Sequence, residues 1–186
     1  RDRCYAIAKI AGIILSEALF NDHKLDVVCL MPTNIYGVND NFDKFSGHVI
    51  PAMISKFIKA KNANNKVMKL IGTGKPIREF INSKDLAEAI FTALKTSKKK
   101  IDTQFKKKLP IINIGSGESV TIKKLSTVIS NIVGYKGNIY FDKRFPDGTY
   151  KKNLNSKKIR KLGWKPKIRL QAGLLEVIKS RLNGSQ

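Results

Sequence analysis

The run Leu25-Asp26-Val27-Val28-Cys29-Leu30-Met31, closed by Pro32, constrains the fold more than any other stretch of the chain. It is short, partly β-branched and nearly all apolar. That composition suits a strand covered on both faces, which belongs in a parallel sheet with helices above and below. A helical pattern precedes it: Ile7, Ala8, Ala11, Ile14, Leu15 and Ala18 recur at helical spacing between Tyr5 and Leu19, and Asn21-Asp22 ends the pattern. The alternation then continues. Periodicity predicts a helix from His48 to about Ala60, a strand over Val67 to Ile71, and a helix from Lys84 to Leu94 with Ser83 as its N-cap. A buried strand over Pro110 to Ile114, a helix from Thr121 to Ile132 capped by Thr121, a short strand over Asn138 to Phe141 and a helix from Leu170 to Leu182 complete it. Helix alternating with strand means α/β. The segment Lys98 to Lys108 is polar enough to be a mobile surface loop.

Length and composition fit this reading. A chain of 186 residues with 42% hydrophobic content buries a real core, and with no internal repeat it reads as one compact unit. No stretch approaches the roughly 18 uninterrupted apolar residues of a membrane span, and no signal-peptide pattern opens the chain, so the expectation is a soluble cytoplasmic protein with no membrane partner. Cys4 and Cys29 lack metal-type spacing and fit a reducing compartment; no metal is expected. The net charge of +22 would ordinarily point to nucleic acid, since clustered cations neutralise phosphates. Here the excess is mostly lysine, accompanies asparagines such as Asn62, Asn64 and Asn65, and concentrates in the runs Lys98–Lys100 and Lys106–Lys108. No zinc-finger spacing, RNP-type motif or aromatic-interleaved basic stripe goes with it, so the charge reads as a solvated surface, and no specific nucleic acid is expected. Two GxG triplets, Gly72-Thr73-Gly74 and Gly115-Ser116-Gly117, fail to complete GxGxxG because Ile77 and Val120 stand at the third glycine position; both read as turns.

One pair of residues has a chemical use. Tyr5 and Lys9 are spaced i, i+4 on the first helix, so they share a face. A phenol with an ordinary pKa of about 10 beside an ammonium favours phenolate and can exchange a proton with a carbonyl or alcohol oxygen. The lysine can also hold ribose hydroxyls. In a lysine-rich chain the spacing alone is weak, although of the five tyrosines only Tyr5 meets a lysine four residues on.

Context strengthens it. Tyr5-Ala6-Ile7-Ala8-Lys9 is followed by Met31-Pro32-Thr33-Asn34-Ile35-Tyr36-Gly37, His48-Val49-Ile50-Pro51-Ala52, Gly72-Thr73-Gly74, Arg78-Glu79-Phe80 and Asp85-Leu86-Ala87. Asn113-Ile114-Gly115-Ser116-Gly117, Val133-Gly134-Tyr135-Lys136-Gly137 and Pro146-Asp147-Gly148-Thr149 complete the series. Together these resemble the C-terminal part of GDP-L-fucose synthases, members of the extended short-chain dehydrogenase/reductase family, over nearly the whole chain. The resemblance implies the C-terminal part of a Rossmann-like doubly wound parallel sheet plus a small α/β substrate-binding lobe. Residues 1–97 would be the C-terminal portion of the NAD(P)-binding domain with interleaved substrate-lobe segments, and 98–186 mainly the substrate lobe. It implies NADP(H) as cofactor, a GDP-sugar as substrate, a homodimer joined through the YxxxK helix, and conversion of GDP-4-keto-6-deoxy-D-mannose to GDP-L-fucose. A related nucleotide-sugar epimerase or dehydratase, and a non-catalytic polyanion-binding or interaction module, are the alternatives.

Residue by residue, the resemblance implies Tyr5 as the acid/base at the C4 oxygen, with Lys9 beside it at the nicotinamide ribose. Pro32, Thr33, Asn34 and Ile35 would form a loop at the nicotinamide, with Asn34 also facing the sugar. His48 would be the acid of epimerisation, close to the cofactor, and Lys56, Arg78, Asp147 and Lys152 would surround the GDP-sugar. Ile71 stands where a tryptophan often packs, and Asn155 replaces a frequent aspartate. The family's glycine-rich first turn, catalytic serine and epimerising cysteine are expected upstream of the YxxxK helix, so Cys4 is not that cysteine.

Overall fold

The computed structural model describes residues 2–43 and 48–183. The first helix, α1 (Asp2–Asp22), leads into β1 (Cys29–Pro32), β2 (Asn34–Tyr36), α2 (Val49–Asn62), β3 (Val67–Ile71), β4 (Ile77–Asn82) and α3 (Ser83–Lys95). Then follow α4 (Lys98–Phe105), β5 (Ile111–Ile114), β6 (Ser119–Thr121), α5 (Ile122–Val133), β7 (Asn138–Asp142), β8 (Lys151–Lys152), α6 (Lys157–Lys161) and α7 (Leu170–Asn183). The α/β expectation holds.

Strand pairing is mostly parallel. β1 pairs β5, β2 pairs β4 and β3 pairs β7, each in parallel register, while β4 also pairs β6 antiparallel and β8 parallel. The extended run from Cys29 to Tyr36 therefore changes neighbour at Thr33: its first half lies beside β5 and its second beside β4. Thr33 donates its N–H to the Ile114 carbonyl at 2.9 Å, and its hydroxyl to the Glu79 carbonyl at 3.1 Å, so it is tied to both sides of that crossing. Ligands of open parallel sheets bind where strand connections diverge, at the carboxyl ends.

Two apolar cores hold these layers. In one, α2 packs on α5 and α5 on α7, with Ile54, Phe57, Leu125, Ile129 and Leu174 fully buried and the Phe57 and Tyr135 rings 5.5 Å apart. The other gathers Ile81, Ile101, Phe105, Ile112, Ile114, Ile159 and Trp164. Each such side chain contributes roughly 1.5–3 kcal/mol of burial. Thr121 caps α5 as expected, its hydroxyl accepting the Lys124 N–H at 3.1 Å, and Gly134 ends the helix in the left-handed region.

Four local expectations are corrected. The polar segment 98–108 is not a loop: Ile101 and Phe105, one helical turn apart, are buried in the second core and pin α4 against it. The N-cap of α3 is Asn82 rather than Ser83, because the Asn82 side-chain oxygen accepts the Lys84 N–H at 2.9 Å. The strand expected from Leu25 begins only at Cys29. Asn34 and Ile35 belong to β2 rather than to a loop.

The surface of α1 is unlike the rest. Ile7, Ile10, Ile14 and Leu15 are more than half exposed, so the helix presents an apolar face that nothing in the described residues covers. By length and composition its span Arg3–Asp22 would also suffice to cross a membrane, a test that core helices and signal sequences of soluble and exported proteins pass as well. Lys9 and Glu17 interrupt that apolar character.

Candidate functional site at the carboxyl ends of the strands

Where the run from Cys29 to Tyr36 crosses between neighbours, a cavity of about 930 Å³ opens, lined among others by Tyr5, Pro32, Thr33, Asn34, Ile35, His48 and Lys152. A smaller one of about 370 Å³ is lined by Lys56, Ile71, Arg78, Asp147 and Gly148. Val49 lines both, and Arg78 and Lys152 are register partners in the β4–β8 pair, so the two form the ends of one trough. Of the candidate catalytic, cofactor-binding and substrate-binding residues read from sequence, all but Lys9 line one end or the other.

At the large end, α1 delivers Tyr5, which is 69% exposed, and the Lys9 ammonium stands 5.5 Å from the centre of its ring. The i, i+4 pair therefore meets as expected. Lys9 does not line the cavity and stands beside Tyr5. Asn34 stands at the start of β2, where its amide nitrogen donates to the Glu79 carbonyl at 2.9 Å. His48 precedes α2 in extended conformation, and its side chain makes no capping hydrogen bond, so the helix does not consume the imidazole.

At the small end, Asp147 is organised by the turn between β3 and β4. The Thr73 hydroxyl and N–H both donate to its carboxylate, the latter at 2.8 Å. Those bonds, the hydroxyl first, with Lys75 and Arg78 nearby, hold the Asp147 carboxyl below the usual carboxylate range. Gly72 makes this possible: it has a φ of +83°, and a Cβ on it would stand 2.4 Å from the Asp147 carboxylate. Arg78 is half-buried and anchored by a 2.8 Å bond to the Ile77 carbonyl, and Lys56 is exposed on α2. Ile71, 66% exposed, leaves this wall without an aromatic.

A trough with a phenol, an imidazole and Lys152 at one end and Arg78 with Lys56 at the other can take a polar ring and a di-anion side by side. A family model settles the ancestry, since the NAD-dependent epimerase/dehydratase family matches residues 1–115. The chain belongs to that family. Among its relatives, the probable GDP-L-fucose synthase 1 of Oryza sativa subsp. japonica is 41% identical over 94% of this chain and 51% of its own length. A solved GDP-6-OMe-4-keto-L-xylo-heptose reductase from C. jejuni superposes with a TM-score of 0.86 at 32% identity, covering 96% of this chain and 60% of that one. A GDP-D-glycero-L-gluco-heptose synthase from Campylobacter jejuni, solved in the presence of NADPH, does so with a TM-score of 0.83 at 32% identity, covering 95% and 59%. The chain thus spans about half the length of the curated relatives it matches.

Sequence reasoning gave no role to two residues that the fold uses. Glu79 and Asp85 are buried carboxylates whose hydrogen bonds reach residues far along the chain. The only signal was their place in the motif Arg78-Glu79-Phe80 and the Asp85-Leu86-Ala87 that follows.

Proposed function

We propose that this chain supplies the proton-transfer and GDP-sugar-binding part of an NADP-dependent 3,5-epimerase/4-reductase that converts GDP-4-keto-6-deoxy-D-mannose to GDP-L-fucose. What carries the proposal is the shared trough: Tyr5, Asn34, His48 and Lys152 around one end, Arg78, Asp147 and Lys56 around the other. The relatives named as GDP-L-fucose synthases support the substrate.

The large end fits the nicotinamide end of a dinucleotide in kind, since Pro32, Ile35 and Val38 give it apolar wall and Tyr5 with Lys9 gives it groups for a ribose. A bound nicotinamide supplies a hydride for C4. The chain's own residues do the rest. The Tyr5 hydroxyl donates its proton to the C4 oxygen as that carbon is reduced, and the Lys9 ammonium stabilises the phenolate left behind. His48 returns a proton to a ring carbon after the base that the resemblance places upstream of Tyr5 has taken one from the opposite face, so the configuration inverts. Arg78, Lys56 and Lys152 hold the diphosphate by charge-assisted hydrogen bonds. The division at residue 97 belongs to the same proposal, with strands exchanged across it, because β5 pairs with β1. So do a cytoplasmic setting and a homodimer in which two α1 apolar faces cover each other, as large exposed apolar patches mark interaction surfaces.

A second reading, a GDP-keto-sugar reductase without epimerisation, is favoured by the heptose-reductase neighbour and by Ile71 and Asn155 in the substrate lobe. The testing experiment is calorimetric titration of the chain with GDP-mannose, at low and high salt and after Arg78→Ala. Loss of a hydrogen bond to a charged group costs about 1.5–3 kcal/mol, so Arg78→Ala should weaken binding roughly tenfold or more. Equal, salt-labile binding of heparin and GDP-mannose would sink the proposal and leave a polyanion-binding surface.

A further inference from the structure

Glu79 is 1% exposed, and a buried carboxylate must be met by donors. Its two oxygens accept the backbone N–H groups of Gly117 and Leu154, each at 2.7 Å. Its own carbonyl oxygen accepts from the Thr33 hydroxyl and the Asn34 amide. Gly115 lets the carboxylate in: a Cβ there would stand 2.3 Å from it. One residue thus reaches three separate segments of the chain.

Leu154 is the informative partner. The trough wall from Lys151 to Leu154 is carried by β8, which is only two residues long and pairs with Ile77 and Arg78, just ahead of Glu79. So short a strand is marginal by itself. The Leu154 N–H bond to Glu79 ties down the far end of that wall, two residues beyond Lys152, which lines the same cavity as Asn34.

We infer that Glu79 is a positioning residue, latching the 151–154 wall to the strand crossing at Thr33 and Asn34 and so setting where Lys152 meets the substrate. This rests on reading the trough as a sugar-nucleotide site, and it is the carboxylate, not merely a polar group of that size, that it requires. Glu79→Gln keeps the volume but turns an amide NH2 toward one of the two N–H donors.

Two measurements on the 186-residue chain test it, with Ile178→Val as a control for general loss of stability. Ligand-free amide exchange by NMR should show the Gly117 or Leu154 N–H exchanging roughly tenfold or more faster in E79Q, relative to other core amides, and neither accelerated in I178V. In GDP-mannose titrations, Lys152→Ala should cost clearly less affinity in the E79Q background than alone, because the latch is already open. If E79Q does not fold, Glu79→Asp, too short to span both donors, is read in the same way. Unchanged exchange at both amides, or a Lys152→Ala cost identical in both backgrounds, overturns the inference. If the unsubstituted chain does not bind GDP-mannose, the proposed function fails, and the exchange measurement alone supports or overturns the latch.

Discussion

Tyr36, 2% exposed at the end of β2, is pushed up to about 12 by burial of its phenol, a push that the Asn82 side chain nearby only partly offsets. The sign of the consequence follows from linkage. The unfolded chain releases this proton near the ordinary value of about 10, so the stabilisation is complete below that pH and drains away as pH climbs through about 12. Thermal melts between pH 8 and 12 should therefore show a loss of stability above pH 10 that is shallower in Tyr36→Phe; identical slopes would mean the phenol is not the buried acid. At this scale the sequence was informative about which candidate groups lie together and silent about the buried carboxylates behind them. Tyr5 and Lys9 could be paired from spacing alone, because i, i+4 geometry is local. Glu79 and Asp85 could not, because their partners Gly117, Leu154, Lys167 and Ile168 lie tens of residues away and donate only backbone N–H groups, which leave no mark in a sequence.

Among the elements, legibility followed how far charge masked the apolar pattern. Helices α2, α5 and α7 announced themselves because their buried residues recur without interruption. β4 did not: Arg78, Glu79 and Asn82 break any alternation in a strand whose last four residues are all buried. The same masking hid α4, where lysines surround just two anchoring side chains. If Ile101 and Phe105 are what turn 98–105 into a helix, then removing one should unpin it. Phe105, 8% exposed with the Lys158 ammonium 4.7 Å from the centre of its ring, is the better target. Phe105→Ala should destabilise the chain by about 3–5 kcal/mol, measured by urea denaturation, with lost exchange protection centred on α4. A cost under about 1 kcal/mol would return the segment to the mobile surface loop that its composition first indicated.

Over the whole molecule, charge is the feature no local reading absorbs. Thirty-six Lys and Arg face 14 Asp and Glu, so even if every acid found a basic partner, 22 cations would have none. The ion pairs of Lys84 with Glu176 and Lys167 with Glu88 join exposed side chains, and exposed pairs contribute at most about 1 kcal/mol each. Repulsion among the remaining cations acts over the Debye length, roughly 30 Å at 0.01 M salt and 10 Å at 0.1 M, and it is relieved when the chain expands. Folding should therefore gain from screening: Tm should rise as sodium chloride goes from about 0.01 to 0.1 M, whereas a fold held by its ion pairs would lose stability over the same range. On the proposed function, a diphosphate ligand would supply the missing anions locally, at Arg78, Lys56 and Lys152. The extra stability GDP-mannose confers should accordingly shrink as salt is added but persist at 0.1 M, because Asp147 and the Thr73 turn are held by hydrogen bonds rather than by net charge. Stabilisation that disappears entirely on screening would show that the trough attracts anions without recognising one.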